Sequence, residues 1–397
     1  MVKKRVLLLV VDSLGVGHMA DVREVRPQDE GANTLGHILE QLPNLRIPNL
    51  LALGAGKLLG DNTPARGVYG KLNLQHQGAD SYMGHQELMG SRPQKPLLVP
   101  FENVIDEVKA GLEAAGFTAE IPEPQLPYLL VEGLVVVADN IETDYGQIYN
   151  VSASLTEISF EHVLAIGRKV RELVQVNRVI ALGGMVSPEQ LRASIERRDD
   201  GLVGVNSPRS GVYGSGYRVR HLGLGIDPSQ QLPALLAEKG CQVSLIGKMQ
   251  DVIEAEQAQK LPAVETDLVL SLAEEQFQAI ECGLVAATVQ ETDLAGHAQD
   301  VERYGRKLEL VDVFLGRFME QMNAGDALFV TGDHGNDPTI GHSQHTREKT
   351  PLLAYSTQFR AAGIGERTTL SDIAATIAAY FASRPPANGR SFLGDIT

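Results

Sequence analysis

The chain has 397 residues, a length that predicts two domains rather than one. Hydrophobic residues make up 43% of it, enough for large cores, and no apolar run is long enough to span a bilayer. The net charge of −15 argues against nucleic acids and anionic membranes as partners, because both would repel most of the surface. A small anionic substrate is compatible with this charge if cations are concentrated in one cleft.

The chain contains two cysteines, Cys241 and Cys282, too few for a disulfide framework, and each is interpreted as a small apolar residue. So few cysteines suit a reducing compartment, and a cytoplasmic location is expected. Three basic residues followed by an apolar run resemble the start of a signal peptide. However, the run is short and ends at Asp12 without a cleavage site, which favours a buried strand over 6–11.

Further along the chain, apolar runs alternate with helical patterns. The runs predicted to be buried strands are 6–11, 284–289, 327–331 and 352–355. Apolar residues at helical spacing predict helices over 301–322 and 371–381, the second with Ser371 as its N-cap. This alternation predicts an α/β core with a mostly parallel central sheet flanked by helices. Because ligands bind beyond the carboxyl ends of strands in such sheets, the polar turns after the four runs are expected to form one site.

The middle of the chain has its own pattern. Helix-like stretches at 102–115 and 160–174 surround a strand-like stretch at 134–138, and a passage rich in Gly, Ser and Pro follows. We therefore expect an inserted, smaller α/β domain over 97–222, with 1–96 and 223–397 forming a discontinuous core.

The polar turns contain aspartate and histidine in combinations that favour a metal centre. Asp333 and His334 follow one strand, Asp12 follows another, and Asp293 precedes His297 by four residues, with Gly296 expected to let the chain turn between them. Two further histidines, at 342 and 345, lie close to the C-terminal pair. Carboxylate oxygen combined with imidazole nitrogen suits Mn²⁺ or Zn²⁺ better than Ca²⁺. One such residue alone is usually a turn or cap residue, so the prediction rests on several strand ends together.

A second polar cluster lies at 78–90, where Ser81 stands among glycines just before a short predicted helix. Metal coordination can activate a hydroxyl nucleophile, and the amides at a helix N-terminus can bind an anion. A serine beside glycine is more often a loop cap, so this cluster alone does not decide between the two readings.

Together the motifs resemble the phosphopentomutase family of the alkaline phosphatase superfamily, whose members interconvert ribose 1-phosphate and ribose 5-phosphate. The matching segments occur in the family's order over nearly the whole chain: Asp12-Ser13-Leu14-Gly15-Val16-Gly17, Gly31-Ala32-Asn33-Thr34-Leu35-Gly36, Asp80-Ser81, Gly84-His85, Glu87, Gly247-Lys248, Asp333-His334-Gly335-Asn336-Asp337-Pro338, His345-Thr346-Arg347-Glu348 and Ser391-Phe392-Leu393. The resemblance implies an alkaline-phosphatase-like core and a cap domain that closes over it.

The resemblance also implies the roles of individual residues. One Mn²⁺ would be held by Asp12, Asp333, His334 and the hydroxyl of Ser81; the other would be held by Asp293, His297 and His345. Ser81 takes the position of the family's phosphorylated threonine, and a sugar bisphosphate is the implied primer. The residues implied in binding the sugar phosphate are Lys248, Arg209, Arg218, Arg220 and Asp144.

Some positions depart from the family pattern. Gln86 and Gln344 replace a tryptophan and an aspartate, and His342 is an additional candidate ligand. The sequence therefore leaves alternatives open beside a mutase for ribose or deoxyribose phosphates. These are a mutase for another sugar, a phosphatase or phosphonate-type hydrolase of the same superfamily, and a sugar-phosphate-binding protein without turnover.

Overall fold

The computed structural model describes residues 3–62, 64–143 and 145–397. The chain forms two compact units, a core unit of Met1–Pro93 with Asp227–Thr397 and an inserted unit of Gln94–Ile226. The inserted unit extends a few residues beyond the predicted 97–222, and beyond its predicted C-terminal end the N–H of Leu224 donates to the carbonyl oxygen of Asn177 within the unit. Its role as a closing cap stays a prediction.

The described residues contain the following strands and helices. The strands are β1 (Lys4–Val11), β2 (Val68–Leu72), β3 (Ala119–Glu120), β4 (Leu129–Val131), β5 (Val135–Asp139), β6 (Ile148–Ser154), β7 (Arg178–Gly184), β8 (Ile195–Arg197), β9 (Val203–Val205), β10 (Arg218–Gly223), β11 (Gln242–Gly247), β12 (Gln259–Leu261), β13 (Cys282–Val289), β14 (Asp326–Thr331), β15 (Thr350–Tyr355) and β16 (Gly363–Arg367). The α-helices are α1 (Val22–Val25), α2 (Thr34–Gln41), α3 (Pro48–Leu50), α4 (Gly56–Leu58), α5 (Ser81–Leu88), α6 (Ile105–Ala114), α7 (Phe160–Leu173), α8 (Pro188–Arg192), α9 (Ser207–Ser210), α10 (Leu232–Glu238), α11 (Lys248–Val252), α12 (Thr266–Ala279), α13 (Glu291–His297), α14 (Val301–Gln321), α15 (Ser371–Tyr380) and α16 (Leu393–Ile396). A π-helical turn covers Leu51–Ala55, and 3₁₀ turns cover Pro27–Asp29, Phe101–Asn103 and Pro228–Gln230.

The core unit is built on one sheet with the strand order β12-β11-β13-β1-β14-β15-β2-β16. The strands from β12 to β14 are all parallel, whereas β15 is antiparallel to both of its neighbours. Strand β1 lies between β13 and β14, with Val11 opposite Val289 and Val10 opposite Thr331. The predicted α/β fold with a mostly parallel, helix-flanked sheet is confirmed.

The apolar run of β1 is buried because the sheet is covered on both faces. Alternate residues point to opposite sides, so Leu7 and Leu9 enter one apolar core while Val6 and Leu8 enter the other. Helices α12 and α14 supply much of the first core, and α10 and α15 contribute to the second. Among the described residues, no helix has both the length and the apolar character needed to cross a membrane.

The inserted unit contains a second sheet with the strand order β10-β7-β6-β5-β4-β3, in which β6 and β7 are parallel. Helices α6 and α7 cover one face of this sheet, where Val108, Val163 and Val151 are fully buried. This unit therefore has its own apolar core, as expected of a domain.

Two sequence-based expectations about the core unit are wrong. The run 352–355 lies in β15, whose antiparallel direction places Tyr355 at the edge opposite the other strand ends. The His345–Arg347 segment, which precedes β15, is the part that reaches the polar turns. In addition, Ser371 does not cap a helix: it is the first residue of α15, and its Oγ donates to the carbonyl oxygen of Glu87 at 2.6 Å.

At the amino ends of β1 and β14, Arg5 and Asp326 form a buried ion pair. The guanidinium donates to both carboxylate oxygens, with an Nε–Oδ1 distance of 2.8 Å and an Nη2–Oδ2 distance of 2.7 Å. A third bond runs from Nη1 to the carbonyl oxygen of Phe277 at 3.0 Å, and the phenyl ring lies 4.4 Å from the guanidinium carbon. The pair ties these two strands together beneath helix α12.

Asp326→Asn is expected to lower the free energy of unfolding by about 3–5 kcal/mol, because the buried guanidinium would lose its counter-charge. Denaturant titration measures this loss. The matched control is Glu281→Gln, which breaks an exposed ion pair with Lys3 near the same edge and should cost less than about 1 kcal/mol. Equal losses in the two variants would contradict the structural role of the buried pair.

Candidate metal centre

The polar turns meet because three neighbouring strands end together. Asp12 follows β1, Asp333 follows the last residue of β14 by two positions, and helix α13 begins two residues after the end of β13. The turn after β1 is tight, with Ser13 in the left-handed region at φ +68°. The backbone N–H of Ser13 donates to Asp333 Oδ1 at 3.0 Å, which fixes the first two turns to each other.

Asp12, Asp333 and His334 form the first candidate ligand group, in which one ligand atom of each residue lies within 4.8 Å of the others. His334 Nε2 lies 3.4 Å from Asp12 Oδ1 and 3.2 Å from Asp333 Oδ2. His334 Nδ1 donates to the carbonyl oxygen of Gly335 at 2.8 Å, so Nε2 is the ring atom that faces the two carboxylates and would coordinate a cation. In the part of the chain that the structure describes, Asp12 Oδ1 and His334 Nε2 are buried without hydrogen-bond partners. A cation would satisfy both atoms, so the group fits a metal.

Asp293, His297 and His345 form the second candidate group, again with ligand atoms within 4.8 Å of one another. Asp293 Oδ2 lies 3.3 Å from His297 Nε2, and Asp293 Oδ1 lies 3.4 Å from His345 Nε2. Each histidine donates from Nδ1 to a backbone carbonyl oxygen, His297 to Ser343 at 2.7 Å and His345 to Ala79 at 2.8 Å. Their Nε2 atoms lie 3.0 Å apart, and both face the carboxylate of Asp293. This group also fits a cation.

The spacing of Asp293 and His297 has a different cause from the predicted one. Both lie in α13, where residues four apart share one face of the helix. Gly296 therefore does not turn the chain between them. Its role is to allow close packing, because a Cβ atom there would lie 2.5 Å from Asn336 Cγ.

The two groups adjoin each other. The rings of His334 and His345 stack with their centroids 3.9 Å apart. Lys248 Nζ lies 2.8 Å from Asp12 Oδ2 and 3.8 Å from Asp293 Oδ2, so one ammonium faces carboxylates of both groups. Burial opposes its charge, but these carboxylates and Asp333 together raise the pKa of Lys248 above its usual value. The lysine therefore stays charged.

The carboxylates are held in their ionised form. Burial favours the neutral form of Asp333, but His334 and His85 lower its pKa well below the usual range. Burial likewise opposes ionisation of Asp293, and hydrogen bonds from His297 and His345 lower its pKa. Ionised carboxylate is the form that coordinates a metal.

Ser81 begins helix α5 beside the first group. Asp80 caps this helix by accepting the N–H of Met83 at 2.8 Å, and Ser81 Oγ donates to Asp333 Oδ2 at 2.6 Å. The helix can approach closely because residue 84 is glycine: a Cβ atom there would lie 2.5 Å from the carbonyl oxygen of Asp333. The sequence cluster around Ser81 therefore belongs to the same site as the aspartates and histidines.

His85 is a buried site residue that sequence reasoning did not single out. Its Nδ1 lies 3.1 Å from Asp333 Oδ2 and 2.9 Å from the carbonyl oxygen of Ser81, and its Nε2 lies 2.9 Å from Thr288 Oγ1. The His85 ring therefore contacts the proposed nucleophile Ser81, the ligand candidate Asp333 and strand β13 at the same time. Its position directly after Gly84 in the motif was the available signal.

The residues that depart from the family pattern have other partners. His342 Nε2 lies 3.1 Å from Asp29 Oδ1, and His342 belongs to neither ligand group of the described residues. Gln344 accepts a hydrogen bond from Arg26 at 3.3 Å. Gln86 is buried, donating to the carbonyl oxygen of Val252 at 2.7 Å. Its amide therefore contributes to internal packing of the core unit.

The predicted substrate-binding residues lie in different parts of the chain. Lys248 belongs to the site just described, whereas three arginines lie in the inserted unit. Within that unit, Arg209 lies 3.4 Å from Glu196, Arg218 lies 3.1 Å from Glu161, and Arg220 is a residue of β10. Asp144 lies outside the described residues. A substrate-binding role for these four residues stays a prediction.

Comparison with curated proteins finds relatives along the whole chain. A phosphopentomutase of Caldanaerobacter subterraneus subsp. tengcongensis is 29% identical over 416 residues, covering 99% of this chain and 98% of the relative. A phosphopentomutase of Symbiobacterium thermophilum is 29% identical over 409 residues, with the same shares covered. The predicted resemblance to this family is confirmed.

Among solved structures, a phosphoglycerate mutase of Leishmania mexicana matches with a TM-score of 0.49 and 13% identity, covering 98% of this chain and 97% of that one. The family model described as the metalloenzyme superfamily matches residues 4–385. With nearly the whole sequence matched and two ligand groups at the carboxyl ends of its central strands, the chain belongs to the metalloenzyme superfamily.

Proposed function

We propose that the protein is a phosphosugar mutase that interconverts pentose 1-phosphate and pentose 5-phosphate through a phosphoserine at Ser81. The observation that carries the proposal is the contact of Ser81 Oγ with Asp333 Oδ2 at 2.6 Å, beside two adjoining groups of metal-ligand type. The two phosphopentomutases that match along the full length support the choice of a pentose substrate.

The proposed cofactors are two divalent cations, Mn²⁺ in each case. One would be held by Asp12, Asp333, His334 and the hydroxyl of Ser81. The other would be held by Asp293, His297 and His345. Bound there, the cations would supply positive charge to stabilise the phosphoryl group during transfer. The mixture of carboxylate and imidazole ligands suits Mn²⁺ or Zn²⁺, and the family resemblance favours Mn²⁺ of the two.

In the proposed cycle, a free hydroxyl of the sugar phosphate attacks the phosphorus atom of phosphorylated Ser81. The Oγ–P bond breaks as a new sugar O–P bond forms, and the hydroxyl proton ends on Ser81 Oγ. The product of this step is a pentose bisphosphate. Ser81 then takes the phosphoryl group from the other position of the sugar and returns a proton to that oxygen. A sugar bisphosphate can therefore prime the unphosphorylated enzyme, and the cycle consumes no water.

Two neighbouring residues prepare Ser81 for this cycle. Asp333 stays ionised, so it accepts the hydrogen bond of the Ser81 hydroxyl and orients Oγ. Lys248 stays charged between the two ligand groups, where its ammonium would bind a phosphate oxygen. Orientation and electrostatic stabilisation are the main contributions that proteins make to phosphoryl transfer.

Incubation with Mn²⁺ and ribose 1,5-bisphosphate is expected to add one phosphate to the wild-type protein, as measured by intact mass. Ser81→Ala should show no gain, because the accepting hydroxyl is gone. Ser91→Ala is the matched control, since Ser91 is buried ten residues further along the chain and should leave the gain intact. Absence of a phosphate gain in the wild type, or its persistence in Ser81→Ala, would refute the phosphoserine.

Primed with bisphosphate and supplied with Mn²⁺, the wild type is expected to convert ribose 1-phosphate into ribose 5-phosphate without releasing inorganic phosphate. Phosphorus NMR follows both products in one experiment. Steady phosphate release without isomer formation would instead identify a hydrolase. Turnover of another sugar phosphate in place of pentose phosphates would contradict the proposed substrate.

His345→Asn is expected to reduce the bound Mn²⁺ from two ions per chain to one, because the second group would keep only two ligands. Removing a residue that only hydrogen-bonds to a metal ligand lowers metal affinity about 10–100-fold, so removing the ligand itself should lower the affinity for Mn²⁺ by more than that. Elemental analysis after dialysis against graded Mn²⁺ measures it. The matched control His342→Asn should retain both ions; loss of an ion in this control would mean that His342 is a ligand.

A further inference from the structure

We propose that Arg347 is a positioning residue that holds the loop leading to Ser81 and links it to the ligand His345. The approach loop is defined here as residues 74–79. The inference deepens the proposed function and rests on it, because it concerns the placement of the proposed nucleophile. Arg347 lies outside both ligand groups, and its side chain is buried.

All five N–H groups of the Arg347 guanidinium have acceptors. Two bonds are made to Asp21, from Nε at 2.9 Å and from Nη2 at 2.8 Å. The other three reach carbonyl oxygens of the approach loop, those of His76 at 2.8 Å, Gly78 at 2.6 Å and Leu74 at 3.3 Å. A guanidinium has five donors, so none is left for a phosphate oxygen. Arg347 therefore acts on the loop and not on the substrate.

The segment that contains Arg347 is itself fixed. The backbone N–H of Arg347 donates to Asp29 Oδ2 at 2.8 Å, and its carbonyl oxygen accepts the N–H of Met19 at 3.1 Å. Two residues earlier, His345 Nδ1 donates to the carbonyl oxygen of Ala79 at 2.8 Å. The His345–Arg347 segment therefore binds four carbonyl groups of the approach loop, from its first residue to its last.

The position of Ser81 depends on this loop because the two are contiguous. The residue after the loop, Asp80, caps helix α5, and Ser81 is the first residue of that helix. The loop also needs an external support: Gly78 is in the left-handed region at φ +77°, a conformation that glycine adopts but does not enforce. Lysine could not replace Arg347, because its three donors cannot satisfy five acceptors.

The decisive variant is Arg347→Lys, studied in the full-length protein at saturating Mn²⁺. Misplacement of a reacting group by about 1 Å costs about 100-fold in rate, so we expect phosphorylation of Ser81 by ribose 1,5-bisphosphate to slow at least about 10-fold. The KM for pentose phosphate should stay within about 2-fold, since no substrate contact is lost. Hydrogen–deuterium exchange of the amides over 74–81 should become faster.

Arg5→Lys is the matched control, because Arg5 is buried like Arg347 and also donates from Nε and Nη2 to the two carboxylate oxygens of an aspartate. It should lose stability while retaining the wild-type phosphorylation rate and the wild-type exchange over 74–81. An equal fall in phosphorylation rate in both variants would show that Arg347 contributes only to overall stability, and this result would overturn the inference. A raised KM with an unchanged transfer rate would assign Arg347 to substrate binding and overturn it as well.

The two proposals can fail separately. If the wild type gains no phosphate, the phosphoserine mechanism fails, and the exchange over 74–81 still decides whether Arg347 holds the loop. If the wild type gains phosphate and Arg347→Lys gains it equally fast, only the positioning role is lost. Unchanged exchange over 74–81 in Arg347→Lys overturns the positioning role in either case.

Discussion

The buried carboxylate of Asp333 is the interaction on which the site depends. Its Oδ1 accepts the backbone N–H of Ser13, and its Oδ2 lies 2.6 Å from Ser81 Oγ, 3.1 Å from His85 Nδ1 and 3.2 Å from His334 Nε2. An ionised carboxylate without such partners would be too costly to bury. Because the partners come from the turn after β1, helix α5 and the turn after β14, the charge of one residue joins three separate elements.

The framework around this carboxylate could be predicted from the sequence. An unbroken apolar run followed by Asp12 predicts a strand buried on both faces that ends in a polar turn, and β1 has this form. Parallel neighbours then bring their carboxyl ends to one edge, as the register of Val11 with Val289 requires. The division of the ligand candidates into two groups followed from the family resemblance, since turn residues alone do not reveal which side chains converge.

Other features could not be predicted, because they depend on contacts that residue types do not encode. The apolar run in β15 does not reveal its direction, which depends on how the chain returns to β14. The need for glycine at position 84 comes from the backbone of Asp333, distant in sequence. The acceptors of Arg347 in the approach loop are carbonyl groups, which every residue carries. From the sequence alone, a phosphate-binding role for Arg347 cannot be distinguished from a positioning role.

The charges of the site connect the proposed cations with the proposed substrate. Three carboxylates, of Asp12, Asp293 and Asp333, lie around the ammonium of Lys248. A phosphate dianion would be repelled by this group, and the chain as a whole, at −15, offers no compensation. Two divalent cations would offset the charge of these carboxylates. They would also compete with Lys248 for the carboxylates, which would leave its ammonium available to bind an anion. The carboxylates that would hold the proposed cations therefore oppose phosphate on their own, so in the proposed mechanism the cations also make the site favourable to a phosphate group.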